Sequence, residues 1–160
     1  ENGAVYMTAI VLHNSSGPVP QTSALTFILA GNRLVTVRYA EPKAFALYAA
    51  RACKGQNGGT SGSEVMIGLI EMLIERQADL IERVQDEVEQ MAPKVFGQPE
   101  TGIRRREARR LDQMLLTVGR EGDIVARAQE SAASLARLLN FGANALKAQS
   151  APPAVIERFA

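Results

Sequence analysis

Two long stretches of helical periodicity, 61–95 and 103–146, separated only by "FGQPETG" at 96–102, restrict this chain more than anything else in it. The first contains no proline before Pro93, and only Gly68 weakens its helix propensity. Met66, Ile70, Leu73, Leu80, Val84, Val88, Met91 and Val95 recur at helical steps and make one continuous apolar stripe. Val65, Ile67, Leu69 and Ile74 make its first half apolar nearly all round, which predicts cover on more than one side. Ser61 and Glu64 have capping-box spacing: the hydroxyl accepts from an orphan N–H while the carboxylate reaches back. In the second stretch Leu111, Leu115, Val118, Val125, Ala128, Ala132, Leu135, Leu139 and Leu146 hold near-heptad spacing. Gly119, Gly122 and Gly142 lower its intrinsic propensity, so packing has to stabilise it. At about 1.5 Å per residue each helix is on the order of 50 Å long, so the antiparallel hairpin outreaches any sheet that residues 1–60 can build.

Those first residues nevertheless read as a sheet. "VYMTAIVL", 5–12, is β-branched and apolar enough for a mostly buried strand, and "HNSSGPVPQTS", 13–23, is a loop by composition. "ALTFILAGNRLVTVRY", 24–39, predicts a β-hairpin: Phe27, Ile28 and Leu29 form one strand, and Gly31-Asn32 forms a tight turn. Val35, Val37 and Tyr39 then alternate with Leu34, Thr36 and Arg38 in the other. Pro42 starts a helix running to about Lys54, with Phe45 and Tyr48 expected to face the sheet. At the far end Pro152-Pro153 breaks the second long helix, and "AVIERFA" reads as the first turns of another. The expected fold is α+β: a small β-sheet with packed helices over 1–60, a long helical hairpin over 61–149, and the start of a further helix over 150–160.

Composition removes several kinds of function. A net charge of +1 gives the chain as a whole no pull toward nucleic acid or acidic lipid. Aromatics at 5%, with no Trp, disfavour base-stacking platforms. Cys53 is the only cysteine and His13 the only histidine, which excludes an intrachain disulfide and any Cys/His zinc constellation. No run approaches the roughly 20 apolar residues of a membrane span. Glu1 in place of an initiator Met, with no basic segment after it, reads as a piece of a longer protein.

The local chemistry is sparse. The glycine-rich 55–63 segment lacks the preceding strand and the lysine of a phosphate loop, so it reads as a linker ending in a helix cap. Arg104–Arg106, Arg109 and Arg110 form the strongest charge cluster, and nucleic acid is one partner it suggests. The folded-back hairpin offers another explanation: Glu82, Asp86, Glu87 and Glu89 would neutralise it, with Glu89 near Arg109 and Arg110. The acids show no EF-hand spacing and are flanked by arginines, and His13, in a Ser/Gly loop, is expected to be exposed and inert. No residue qualifies as catalytic, no cofactor is required, and no enzyme is expected.

"FILAGNRLVTVRYAEPKAF", "LIEMLIERQADLIERVQDEVEQMAPKVF" and "REARRLDQMLLTVGREGDIVARAQESAASLARLL", in that order, resemble the cytoplasmic domain of the CorA-type divalent-cation transporters, including the zinc-transporting ZntB branch. The resemblance implies a sheet-and-helix cytoplasmic regulatory domain, a two-helix hairpin, and a stalk helix beginning at "AVIERFA" that leads into the membrane. It further implies a homopentamer around a central pore, whose Gly-Met-Asn mouth motif is absent from this sequence. The domain would lie on the cytoplasmic face of the inner membrane, with the membrane reached only through C-terminal spans. A regulatory divalent cation, Mg2+ or Zn2+, is the implied ligand, and nucleic acid is not an implied partner. In Mg2+-transporting members an interface acid follows the Phe that opens the helix after the hairpin; here Ala46 follows Phe45, which favours a ZntB-like or differently regulated member. The metal-binding residues stay unassigned. A helical-hairpin module that docks a partner protein is the alternative.

Overall fold

The computed structural model describes residues 3–13, 20–55, 59–96, 104–148 and 153–157, with side chains except at 92–96, 104–110 and 154–155. The fold is α+β. Three antiparallel strands, β1 (Ala4–His13), β2 (Gln21–Ala30) and β3 (Arg33–Arg38), lie side by side in chain order. They are followed by α1 (Lys43–Cys53), the long helices α2 (Gly62–Phe96) and α3 (Arg104–Ala148), and the short α4 (Pro153–Glu157).

The β2–β3 turn is the expected one. Ala30 pairs with Arg33, leaving Gly31-Asn32 as the two-residue connection, and Gly31 takes φ +54°, which glycine adopts without a steric penalty. Strand β2 starts earlier than its composition suggests. Gln21–Ser23, read as loop, pair with Val11–His13 and extend the β1–β2 ladder to its end. Backbone pairing to an already formed strand outweighs the turn preference of isolated Ser and Gln. The remainder of the predicted loop, 14–19, falls outside the described residues.

Helix α2 begins as predicted. The Glu64 N–H donates to Ser61 Oγ at 3.2 Å, and the Ser61 N–H donates to Glu64 Oε2 at 3.2 Å. Thr60 adds its own N–H and hydroxyl to the same carboxylate, at 2.7 and 2.9 Å. Led by the Thr60 N–H, these donors hold the Glu64 carboxyl below its ordinary value, so the cap is complete above the usual carboxylate range and is lost as pH falls through the lowered value. Gly62 sits where α2 meets the strand turn, its N–H donating to the Asn32 carbonyl at 3.1 Å. A Cβ there would sit 2.8 Å from the Arg33 carbonyl carbon, so only glycine fits this approach.

Residues alternate along the strands, and one face of the sheet supplies Val5, Met7, Ala9, Val11, Leu25, Phe27 and Leu29 to the main core. Helices α2 and α3 cover that face. Met66, Ile67, Leu69, Ile70, Met72 and Leu73 of α2 are buried and Val65 is half-buried, but Ile74, expected to be covered with them, is exposed; Leu135, Leu138 and Leu146 come from α3. Ile156 of α4 packs against the same core, so the helix after Pro152-Pro153 begins as expected, with Pro153 as its first residue.

Helix α1 departs from expectation. Pro42 is its extended N-cap rather than a first-turn residue, and the helix packs chiefly on α2 rather than on the sheet. The absent side chain of Gly68 leaves a slot that the Tyr48 ring fills, while the Tyr48 hydroxyl accepts from the Gly59 N–H at 3.5 Å. Phe45 is half-buried against the main core, and the Arg38 guanidinium of β3 lies over its ring with the guanidinium carbon 4.3 Å from the centroid.

The edge of β1 is closed by side chains. The Ile10 N–H donates to Ser134 Oγ at 2.9 Å, and the Leu12 N–H donates to Ser131 Oγ at 3.2 Å, both hydroxyls coming from α3. Ser131 is fully buried and also accepts from the Gln77 amide of α2. Replacing Ser131 by Ala strands the buried Leu12 N–H and removes the partner of the half-buried Gln77 amide, and is expected to cost about 1–3 kcal/mol. Ser134→Ala leaves one partly buried donor and should cost less. Urea unfolding of the two variants, compared by midpoint at unchanged slope, checks the order.

Candidate functional site

The hairpin is the element with most surface to offer. Its helices run antiparallel: Gln77 bonds Ser131, Leu80 and Val84 pack with Ala128 and Ile124, and Glu87 faces Glu121. The seam on α3 is therefore Glu121, Ile124, Ala128, Ser131, Leu135 and Leu138, all buried. This corrects the near-heptad stripe. Ala128, Leu135 and Leu146 are buried as expected, and Val125 and Leu139 are half-buried, but Ala132, Leu111, Leu115 and Val118 are exposed. The true face includes Glu121, Ser131 and Ser134, which no count of apolar residues can register. On α2, Val88 is likewise exposed rather than part of the buried stripe.

Three surfaces result. The first is an apolar band on the N-terminal half of α3, formed by Leu111, Leu115, Leu116 and Val118, which are between 53% and 76% exposed. The second is the outer face of the sheet, where the register lines up Tyr6, Ile28 and Val35 in one row and Thr8, Thr26 and Val37 in the next. The two threonine hydroxyls bond each other at 2.9 Å, and these six side chains carry no charge. The third is a cleft of about 200 Å³ at the start of α1, lined by His13, Glu41, Lys43, Arg76 and Gln77 over a floor that includes Leu12, Leu73 and Leu80. His13, expected in a loop, is the last residue of β1 and lines this cleft half-exposed. Arg76 pairs with Asp79 at 3.0 Å, and Glu41 with Arg38 at 2.8 Å, so two of its charges are already matched.

The charges expected to steady the hairpin lie partly elsewhere. Glu87 pairs with Arg83 of its own helix at 3.6 Å, and Glu89 accepts from Gln85 at 2.9 Å. The Arg104–Arg106, Arg109 and Arg110 side chains, and the turn at 97–103, fall outside the described residues. Ala46 is exposed on α1 beside the exposed Leu47. Among the described residues, no group of three or more His, Cys, Asp or Glu could hold a metal ion.

A family model for CorA-like Mg2+ transporter proteins matches residues 1–141. The chain belongs to that family. The match takes in the sheet, α1, α2 and most of α3, so sheet and hairpin together make up this CorA-like domain. No curated protein matches the chain. Among the described residues of the CorA-like domain, no helix is long and apolar enough to cross a membrane.

The α3 face assignment has a direct check. Ile124→Ala removes a fully buried side chain and is expected to cost about 2–5 kcal/mol, whereas Leu115→Ser on the exposed band should stay within about 0.5 kcal/mol. Urea denaturation curves of both variants distinguish this seam from one running through Leu115.

Proposed function

We propose that this chain is the cytoplasmic regulatory domain of a CorA-like transporter for a divalent cation, Mg2+, Co2+ or Zn2+, and that it contributes to oligomer assembly and gating. The observation that carries this reading is the family match over 1–141 laid on one continuous core, in which the sheet and the proximal halves of α2 and α3 share their buried residues. A hairpin anchored in this way transmits a displacement of the sheet to its far end instead of absorbing it. Packing of Ile156 on the core carries the chain onward into α4, the start of the stalk.

In a homopentamer, the exposed band of Leu111, Leu115 and Val118 and the outer sheet face supply apolar surface for neighbouring subunits. The exposed α1 carries Ala46 where the resemblance would place a sensing acid, so an alanine there leaves regulation by Mg2+ to other groups. A helical-hairpin module that docks a different protein is the second reading, favoured by the same leucine band.

Two membrane spans encoded shortly after residue 160 are the expected outcome of sequencing the gene downstream, and a reading frame without them would refute the transporter assignment. For the chain itself, sedimentation velocity with and without Mg2+ or Zn2+ reports on sensing. A cation-dependent shift in sedimentation coefficient is expected if these residues participate in it, and an unchanged coefficient places the sensor outside them.

A further inference from the structure

Where α2 and α3 extend away from the sheet, their interface changes from apolar to acidic. Leu80, Val84, Ile124 and Ala128 pack together with Leu12 of β1, and about one turn farther along α3 presents Glu121 to its partner helix. Glu121 is only 2% exposed, and neither of its carboxyl oxygens meets a hydrogen-bond donor. Across the seam, the Glu87 carboxylate lies within hydrogen-bonding and Coulombic reach. The other charged groups around the pair are Arg83 on α2, which pairs with Glu87 at 3.6 Å, and Arg120, adjacent on α3. The β1 residue packed in the neighbouring cluster, Leu12, is apolar.

An ionised carboxylate can only accept, so two of them facing each other cannot form a hydrogen bond. Left ionised, Glu121 would be a buried anion beside a second one, an arrangement that costs several kcal/mol in general. One proton removes both penalties, because it neutralises one acid and turns it into a donor. Burial first, and then the negative charge of Glu87, push the Glu121 carboxyl above its ordinary 4.5, while Arg120 and Arg83 oppose the shift without reversing it.

We propose that Glu121 folds as the neutral acid, its hydroxyl donating to the Glu87 carboxylate, and that this single proton fastens α3 to α2 just beyond the sheet, so that the hairpin loosens when the proton leaves. The sign follows from linkage. In the unfolded chain Glu121 titrates as an ordinary carboxyl, so the folded state holds its proton more tightly. The contribution is complete below pH 4.5 and fades as pH rises through the raised folded value. Loosening is confined to the distal hairpin, because the Ser131 and Ser134 contacts to β1 do not titrate in this range. The effect requires no metal and does not depend on the transporter assignment.

Carboxyl-carbon NMR of the folded wild-type chain reads the proton directly and needs no variant. The Glu121 resonance is expected to titrate with a midpoint above 4.5, and Glu87→Gln, which removes the neighbouring negative charge, should lower that midpoint. Glu121→Gln keeps the shape and gives Glu87 a permanent amide donor. The wild-type melting temperature should therefore fall between pH 4.5 and 8 relative to that of Glu121→Gln, with amide-exchange protection lost at 111–124 and retained at 131–146. A Glu121 midpoint at or below 4.5 would overturn the proposal, and so would wild-type and Glu121→Gln melting profiles that run parallel across this pH range.

Discussion

Two serine hydroxyls determine how this molecule is assembled. An edge strand presents unpaired N–H groups, and β1 is an edge strand whose Ile10 and Leu12 amides are met by Ser134 and Ser131 of α3. Helix and strand are more than a hundred residues apart in sequence, so these bonds set the position of α3 against the sheet. Once α3 is placed, Leu135, Leu138 and Leu146 reach the core, and Ser131 receives Gln77 from α2. The helix pair and the sheet are thereby joined at one buried hydroxyl. A purely apolar α3 would bury comparable surface, but it would leave both β1 amides without partners and its own rotation about the helix axis less defined.

Much of the fold is written locally. The Gly31-Asn32 turn, the Ser61/Glu64 cap, the proline-free run of α2 up to Pro93 and the restart at Pro153 all follow from backbone preferences that act over a few residues, and each lies where those preferences put it. The resemblance carried by the strand pair and the two long helices led to the correct family for the same reason: element order is a local property repeated along the chain. What escaped the sequence was non-local. Gln21–Ser23 became strand because β1 was there to pair with, and α1 turned to α2 because Gly68 offered a slot for Tyr48.

The hairpin seam shows the same limit more sharply. Apolar spacing drew the α3 stripe through Leu111, Leu115 and Val118, yet the helix buries Glu121, Ser131 and Ser134 and leaves those three in solvent. Periodicity counts hydrophobic residues, and this face is chosen by hydrogen bonds to a strand edge and by an acid packed against another acid. The candidate surfaces were accordingly less legible than the fold. His13 reads as a loop residue from its Ser/Gly neighbours yet ends β1 and lines a cleft, and the buried carboxyl of Glu121 has no signature in a list of residue types. A polar seam of this kind sacrifices some burial for a single alignment of two helices, which a uniform leucine seam would not impose.

The length of α3 has a mechanical consequence. The helix is clamped at Ser131 and Ser134, well toward its C-terminal end, and runs back from there to Arg104. At 1.5 Å per residue that arm is about 40 Å long, so a tilt of about 5° at the clamp sweeps the far end through roughly 3.5 Å. Motion too small to disturb the packing at the sheet becomes a displacement the width of an atomic contact at the tip. The geometry is that of a lever whose fulcrum is a pair of hydroxyl groups, with a gain set by nothing more than the number of residues beyond them.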